Sequence, residues 1–284
     1  MTSDPSRHET LADLRIEIDR IDAALHQLLM ERGEIIHRLI EAKARQGGGL
    51  AFRPSREADM MRALVCRHQG LLPLDTVESI WRIIISTFTF VQSNYSVHAD
   101  VSGGDAAMRD CCRFHFGFTV PYRPQPSAAD VIAAVAGSDG DLGVVPVETA
   151  QGAWWHGLSE PSSPKIIARL PFVERHDHPA GLPVFILAQP LAEATVQEIL
   201  LYDLTIPADS ESLISHPAAL PFEILARGQT RAGLSLLVST AQDAAIAAWQ
   251  EQLASTGAPK FEISEVGSHA ARFDASALQK LAAQ

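Results

Sequence analysis

Residues 11–48 read LADLRIEIDRIDAALHQLLMERGEIIHRLIEAKARQGG, and the spacing of their apolar side chains decides the fold of this part of the chain. Leu14, Ile18, Ile21, Leu25 and Leu28, then Ile35 or Ile36, then Leu39 and Ile40 recur every three or four residues. That rhythm is the stripe of an amphipathic helix. Continued, it seats Arg32 between Leu28 and Ile36 and Lys43 beyond Leu39. Burying an unpaired cation costs several kcal/mol, so two basic residues in one apolar seam point to an anion held there.

The helix is expected over residues 9–46, with Thr10 as N-cap, Gly33 its lone glycine and Gly47-Gly48-Gly49 as its stop. Roughly 36 residues at 1.5 Å each make a rod of roughly 55 Å. A small domain cannot bury such a rod, and a second copy of the chain is the simplest partner. After the loop GLAFRPS a second helix is expected from about Arg56 to His68. Pro73 and Asp75 open a third, with Asp75 and Glu78 at capping-box spacing. It carries Val77, Ile80, Trp81, Ile84, Ile85 and Phe88, and is expected to end near Ser96. Residues 1–98 thus read as an all-helical domain of three helices.

Composition narrows the class. A chain of 284 residues has room for two domains, and 46% hydrophobic residues can build a core for each. A net charge of -11 disfavours nucleic acid as a partner. Three cysteines, Cys66, Cys111 and Cys112, match neither a disulfide framework nor a metal spacing. The start, MTSDPSRHETLADLR, lacks the order of a secretory signal, and no apolar run is long enough to span a bilayer. The expectation is a soluble, cytoplasmic protein.

Beyond about Val101 the texture changes to Ala, Gly and Pro with short apolar runs. Strands are expected at Arg113–Thr119, Leu142–Val147, Lys165–Leu170, Pro183–Ala188 and Leu234–Val238, and helices at Ala128–Ala136 and Ala241–Thr256. Alternating strands and helices predict an α/β domain over residues 105–284, with a boundary near 96–105. The stretch Ala232–His269 reads as a small βαβ-type unit.

The basic residues of the helical part form a set. Arg15 lies beside the stripe, Arg32 and Lys43 lie in it, and Arg53, Arg56 and Glu57 follow at the start of the second helix. On the third helix Trp81, Ile85 and Phe88 define a stripe whose next seat is Gln92, a neutral amide that must find hydrogen bonds. The segment quoted above, followed by FRPSREADMMRAL and IWRIIISTFTFVQ, resembles the all-helical chorismate mutases over about residues 9–95. The pattern LR…ID…ID…LL…ER…K…P-x-RE…Q is matched in order.

That resemblance implies an intertwined homodimer with two shared sites, no cofactor and no metal. It makes Arg15 the arginine that crosses to the partner's site. Arg32 and Arg56 would hold substrate carboxylates, Lys43 and Gln92 would meet the ether oxygen, and Glu57 would accept a hydrogen bond from the substrate hydroxyl. Arg53 stands where several relatives carry an acid and Phe88 where a serine is common; both are expected to line the pocket. The chemistry suits this inventory, because the rearrangement of chorismate to prephenate needs no nucleophile or proton transfer. It needs a dianion held in a compact conformer and charge stabilised on an ether oxygen. Arginine forks suit carboxylates, and a lysine and an amide suit a growing partial charge.

In the second half, DLGVVPVETAQG (residues 141–152) resembles the cleft segment of prephenate dehydratases, which implies cleft positions for Glu148, Thr149 and Gly152. The family's Thr-Arg-Phe triplet has no counterpart here. Pro183-Val184-Phe185 lacks both polar residues, Thr230-Arg231 lacks the Phe, and Ser215-His216-Pro217 lies too close to Thr230. The expectation is a degenerate dehydratase-like domain without dehydratase activity. A bifunctional mutase–dehydratase is one alternative. The other is a helical dimer carrying a non-catalytic, metabolite-sensing domain. Trp154-Trp155 is expected to be a hydrophobic anchor, Cys111-Cys112 core residues, and His176-Asp177-His178 a solvated turn.

Overall fold

A computed structural model describes residues 9–45, 52–149, 151–174, 178, 180–190, 198–207, 210, 214, 220–255, 261–275 and 277. The helices are α1 (Leu11–Arg45), α2 (Pro54–Arg67), α3 (Leu74–Gln92), α4 (Asp105–Phe116), α5 (Ala128–Ala136) and α6 (Asp243–Ser255), with a 3-10 turn at Trp154–Leu158. The strands are β1 (Val97–Asp100), β2 (Tyr122–Gln125), β3 (Leu142–Pro146), β4 (Lys165–Leu170), β5 (Val173–Glu174), β6 (Val184–Ala188), β7 (Ile199–Ile206), β8 (Glu223–Thr230), β9 (Gly233–Thr240), β10 (Glu262–His269) and β11 (Phe273–Asp274). A helical N-terminal region followed by an α/β sheet region is the architecture the sequence predicts.

Packing divides the chain into two compact units, Met1–Gly49 and Leu50–Gln284. In the first unit, α1 begins at a reciprocal cap. The Thr10 hydroxyl accepts the Asp13 N–H at 3.2 Å, while the Asp13 carboxylate accepts the Thr10 N–H at 3.0 Å and its hydroxyl at 2.7 Å. These bonds, the hydroxyl's foremost, hold the Asp13 carboxyl below its usual range. The expected glycine stop at residues 47–49 lies outside the described residues.

In the second unit, α2 and α3 share a core with the sheet rather than closing a core of their own. Met61, Leu64 and Val65 of α2 and Val77 and Ile85 of α3 join Cys111, Cys112 and Phe116 of α4 and Leu170, Phe172 and Val184 around the sheet. The capping box expected from Asp75 and Glu78 does not form. Pro73 is the N-cap, Asp75 is already inside the first turn and accepts the Thr76 N–H at 2.8 Å, and Glu78 is buried. The helix also stops at Gln92, before the expected end near Ser96, because Val97 already belongs to β1.

Nine strands form one sheet in the order β2-β1-β3-β6-β4-β10-β7-β9-β8. The expected strands at 142, 165, 183 and 234 and both expected helices are present to within a few residues. The strand expected at Arg113–Thr119 is instead the last turn of α4 and the turn after it. Its buried residues, Met108, Cys111, Cys112, His115 and Phe116, step by three and four, which is the helical period, and Gly117 ends the helix at φ 69°.

The last part of the sheet is a split βαβ unit. β9, α6 and β10 follow one another in sequence, yet β7 is paired between β9 and β10, antiparallel to both. β10 also continues the sheet into β4 through the pair Gly267–Ile166. Gly267 has φ 145°, and a Cβ there would come within 2.1 Å of the Ile166 carbonyl oxygen, so that junction requires glycine.

Candidate active site

The eight residues expected in the site lie on three helices. Three of them, Arg15, Arg32 and Lys43, are on α1. Arg32 and Lys43 are eleven residues apart, three turns, which sets them within about 20° of each other round the helix and roughly 16 Å along it. Both are half-buried, as are Ile36 and Ile40 near them, whereas Arg15 is exposed. On the same helix Glu17 pairs with Arg20 at 2.6 Å and Glu41 with His37 at 3.4 Å. Not one residue of this 35-residue helix is buried. Leu25 and Leu28, at the middle of the stripe, are 56% and 60% exposed.

The other five belong to the second unit. Arg53 is the N-cap of α2, making no side-chain cap bond, and both it and Arg56 in the first turn are exposed. Glu57 beside them is buried. Its carboxylate receives Arg82 of α3 at 2.7 Å, and the same guanidinium donates to the His115 carbonyl of α4 at 3.1 Å. Arg82 also lies 5.6 Å from the centre of the Phe172 ring. Burial holds the Glu57 carboxyl above its usual range, against the pull of Arg82. Phe88 and Gln92 are half-buried one turn apart on α3, where the Gln92 amide donates to the Phe88 carbonyl at 3.0 Å. Sequence reading missed Arg82. The signal was there: a cation at i+1 of Trp81, four residues before Ser86 and seven before Thr89, all three on a face that is buried.

In the α/β half, Glu148, Thr149 and Gly152 follow β3 at the carboxyl ends of the parallel strands β1 and β3. Ligands of open α/β sheets occupy such crevices. The loop is tied down by Gln151, which accepts the Ala128 N–H of α5 at 2.8 Å and donates to buried Asp100 at 3.3 Å. The Thr230 hydroxyl is occupied in the β8–β9 hairpin, donating to the Gly233 carbonyl at 3.0 Å, with Arg231 exposed in the turn. Ser215-His216-Pro217, His176 and Asp177 lie outside the described residues. His178 is half-buried and meets the Phe114 ring edge-on at 4.7 Å.

Trp154 and Trp155 anchor the loop as expected, the Trp155 indole donating to Ser235 at 2.8 Å. Cys111 and Cys112 are core residues, and burial pushes the Cys111 thiol up to about 12. An open concavity of about 790 Å³ runs along β8 and the end of β9, past Phe222, Glu223, Arg227 and Thr240; no residue expected in the site lines it. Among the described residues, no helix is long and apolar enough to cross a membrane.

Residues 14–93 match the family model described as chorismate mutase type II. This segment is a chorismate mutase type II domain. Over 144 residues the chain is 31% identical to a bifunctional chorismate mutase/prephenate dehydratase from Aquifex aeolicus, covering 49% of this chain and 39% of that protein. Proteins of the same description from Neisseria gonorrhoeae and Pseudomonas aeruginosa are each 29% identical, over 142 and 155 residues. Those matches cover 50% and 53% of this chain and 38% and 42% of theirs, so the chain spans about two fifths of the curated relatives it matches. Each alignment is longer than residues 14–93 and so extends beyond the mutase segment. The crystal structure of prephenate dehydratase from Streptococcus mutans superposes with a TM-score of 0.40 at 12% identity, covering 63% of this chain and all of that one, a score too low to establish a shared fold.

Proposed function

We propose that the chain rearranges chorismate to prephenate, in the supply of phenylalanine and tyrosine. The observation that carries this reading is the mutase segment at residues 14–93, with its two half-buried cations Arg32 and Lys43 on one face of α1. In the proposed reaction a carbon–oxygen bond breaks as a carbon–carbon bond forms, with no proton transferred. Arg32 and Arg56 hold the two carboxylates and so select the compact conformer. Lys43 and Gln92 meet the ether oxygen, where charge grows in the transition state. Glu57 accepts a hydrogen bond from the substrate hydroxyl, and Arg53 and Phe88 shape the pocket wall. No cofactor is implied.

The apolar stripe of α1 supports a homodimer, with Arg15 reaching into the partner's site; sedimentation that returns only monomer at micromolar concentration would remove that part. Residues 1–98 act as the mutase domain in this proposal and residues 105–284 as its α/β companion, in the cytoplasm. The deciding assay follows chorismate consumption by the purified chain. Arg32→Ala is expected to lower kcat/KM by roughly a hundredfold or more; an inactive wild type, or a variant at full speed, defeats the reading.

The bifunctional reading draws on the names of the curated relatives and on the loop at residues 141–152. Against it stand the absent triplet and the placement of Thr230-Arg231 in a hairpin turn. We propose that the α/β half does not dehydrate prephenate. Phenylpyruvate formed above the spontaneous background, and lost in Arg231→Ala, would reverse that conclusion.

A further inference from the structure

Arg62, in the middle of α2, makes contacts that the mutase reading does not use. Its guanidinium donates to the Glu198 carboxylate at 2.9 Å, to the Ala271 carbonyl at 2.8 Å and to Asp59 on its own helix at 2.9 Å. The Ala271 N–H donates to the same Glu198 oxygen at 2.7 Å, which closes a ring of bonds. The Phe273 ring lies under the guanidinium, its centre 5.6 Å away. Glu198 is the residue before β7 and Ala271 is two residues after β10. Those two strands are paired at this end through Ile199 and His269. Arg62 therefore grips the split βαβ unit at its β7–β10 end.

The helix so gripped needs outside support. It has 14 residues, no side-chain cap at its N-terminus, and a length at which helices are marginal alone. Glu57 holds it from another side, about 140° round the helix from Arg62, through Arg82 to α4. The apolar seat beneath is provided by Met61, Leu64 and Val65, in the core that they share with α3, α4 and the sheet. An apolar seat fixes depth well and rotation poorly, because it is non-directional. A forked ion pair with a carbonyl contact fixes rotation.

We infer that Arg62 is a positioning residue of the mutase site. It sets the rotation of α2, and with it Arg56 and Glu57, from the β7–β10 end of the C-terminal sheet. This rests on the proposed mutase activity. It makes the split βαβ unit part of the mutase's working structure rather than a passenger behind it.

The test uses the full chain as wild type, Arg62→Ala, Arg62→Lys, Glu198→Gln and the double variant Arg62→Ala/Glu198→Gln. Chorismate kinetics, thermal midpoint and hydrogen exchange of the amides of residues 54–67 are measured for each. In Arg62→Ala, KM is expected to rise on the order of tenfold while kcat falls less, since a carboxylate-holding arginine is loosened in ground and transition state alike. The α2 amides are expected to exchange on the order of tenfold faster, as for losing one charged hydrogen bond. Arg62→Lys should restore only part of KM, because a lysine keeps the charge without the fork, and the double variant should be no worse than Arg62→Ala, because both changes open one clamp. A wild type that turns over chorismate beside an Arg62→Ala with unchanged KM and α2 exchange overturns the inference. So does a loss of kcat that follows the folded fraction with KM unmoved. A wild type without turnover defeats the mutase reading first, and the role with it; unchanged exchange at residues 54–67 would separately deny the clamp.

Discussion

The Glu57–Arg82 pair sets the terms at the level of single residues, since both side chains are buried and joined at 2.7 Å. Taking two charges from water is repaid only while both are present. Arg82→Leu is therefore expected to destabilise the chain by about 3–5 kcal/mol, while Glu57→Leu/Arg82→Leu recovers much of the loss. Urea unfolding of the two variants checks this, and equal losses would show that the pair is not what is at stake. His269 sets a second term. It is buried, its Nδ1 donates to the Ala270 carbonyl at 2.8 Å, and burial lowers its pKa from 6.5 to about 4. His115 is buried too and shifted the same way. A lowered histidine binds its proton in the unfolded chain first. Stability is thus full above pH 6.5 and is lost as pH falls toward about 4. His269 alone contributes about 3 kcal/mol over that window. Denaturation midpoints at pH 7 and pH 4.5 should differ less in His269→Gln than in wild type, and an identical difference would contradict the assignment.

Among the elements, α1 was the most legible, because thirty-five residues of one period leave no competing pattern, and Thr10 sits where a cap must be. The buried strands β3, β4 and β6 were legible as short apolar runs bounded by Gly and Pro. What the sequence concealed are the elements whose identity comes from neighbours. β1, with His98 and Asp100 in four residues, is a strand because it pairs with β2 and β3 on either side. α4 ends in the apolar run Arg113–Thr119, which read alone alternates like a strand. Among the residues proposed for the site, the cations of α1 could be seen as intruders in a stripe, but the partner of Glu57 lies 25 residues away on α3 and no local pattern announces it. Gly267 is a further case, an ordinary glycine in the sequence and the seam of the sheet in the structure. Its positive φ and the nearby Ile166 oxygen leave no room for a methyl group. Gly267→Ala is expected to cost on the order of 3 kcal/mol or more, read as a lower thermal midpoint. A variant within a degree or two of wild type would mean that β10 and β4 can part without loss.

At the scale of the whole molecule, the question is whether residues 1–98 can work alone. Their sequence looks self-sufficient: three helices, a cationic set and a family match that ends at residue 93. Their packing says otherwise. Met61, Leu64, Val65, Val77 and Ile85 are buried in a core completed by α4 and the sheet, and Arg82 and Arg62 end on the His115 carbonyl and on Glu198. A chain cut after residue 98 would lose all of these partners at once. Fully burying a side chain such as leucine or methionine is worth about 1.5–3 kcal/mol, and five such residues together are comparable to the whole stability of an ordinary domain. The stripe of α1 supplies neither the His115 carbonyl nor the Glu198 carboxylate. Residues 1–98 are therefore expected to melt without a sharp transition, to bind a hydrophobic dye, and to consume chorismate far more slowly than the full chain. Circular dichroism, dye fluorescence and the mutase assay on both chains side by side decide it. A short chain that melts cooperatively and matches the long one in rate would show that α2 and α3 can build their core without the sheet, and that the α/β half serves something other than the mutase.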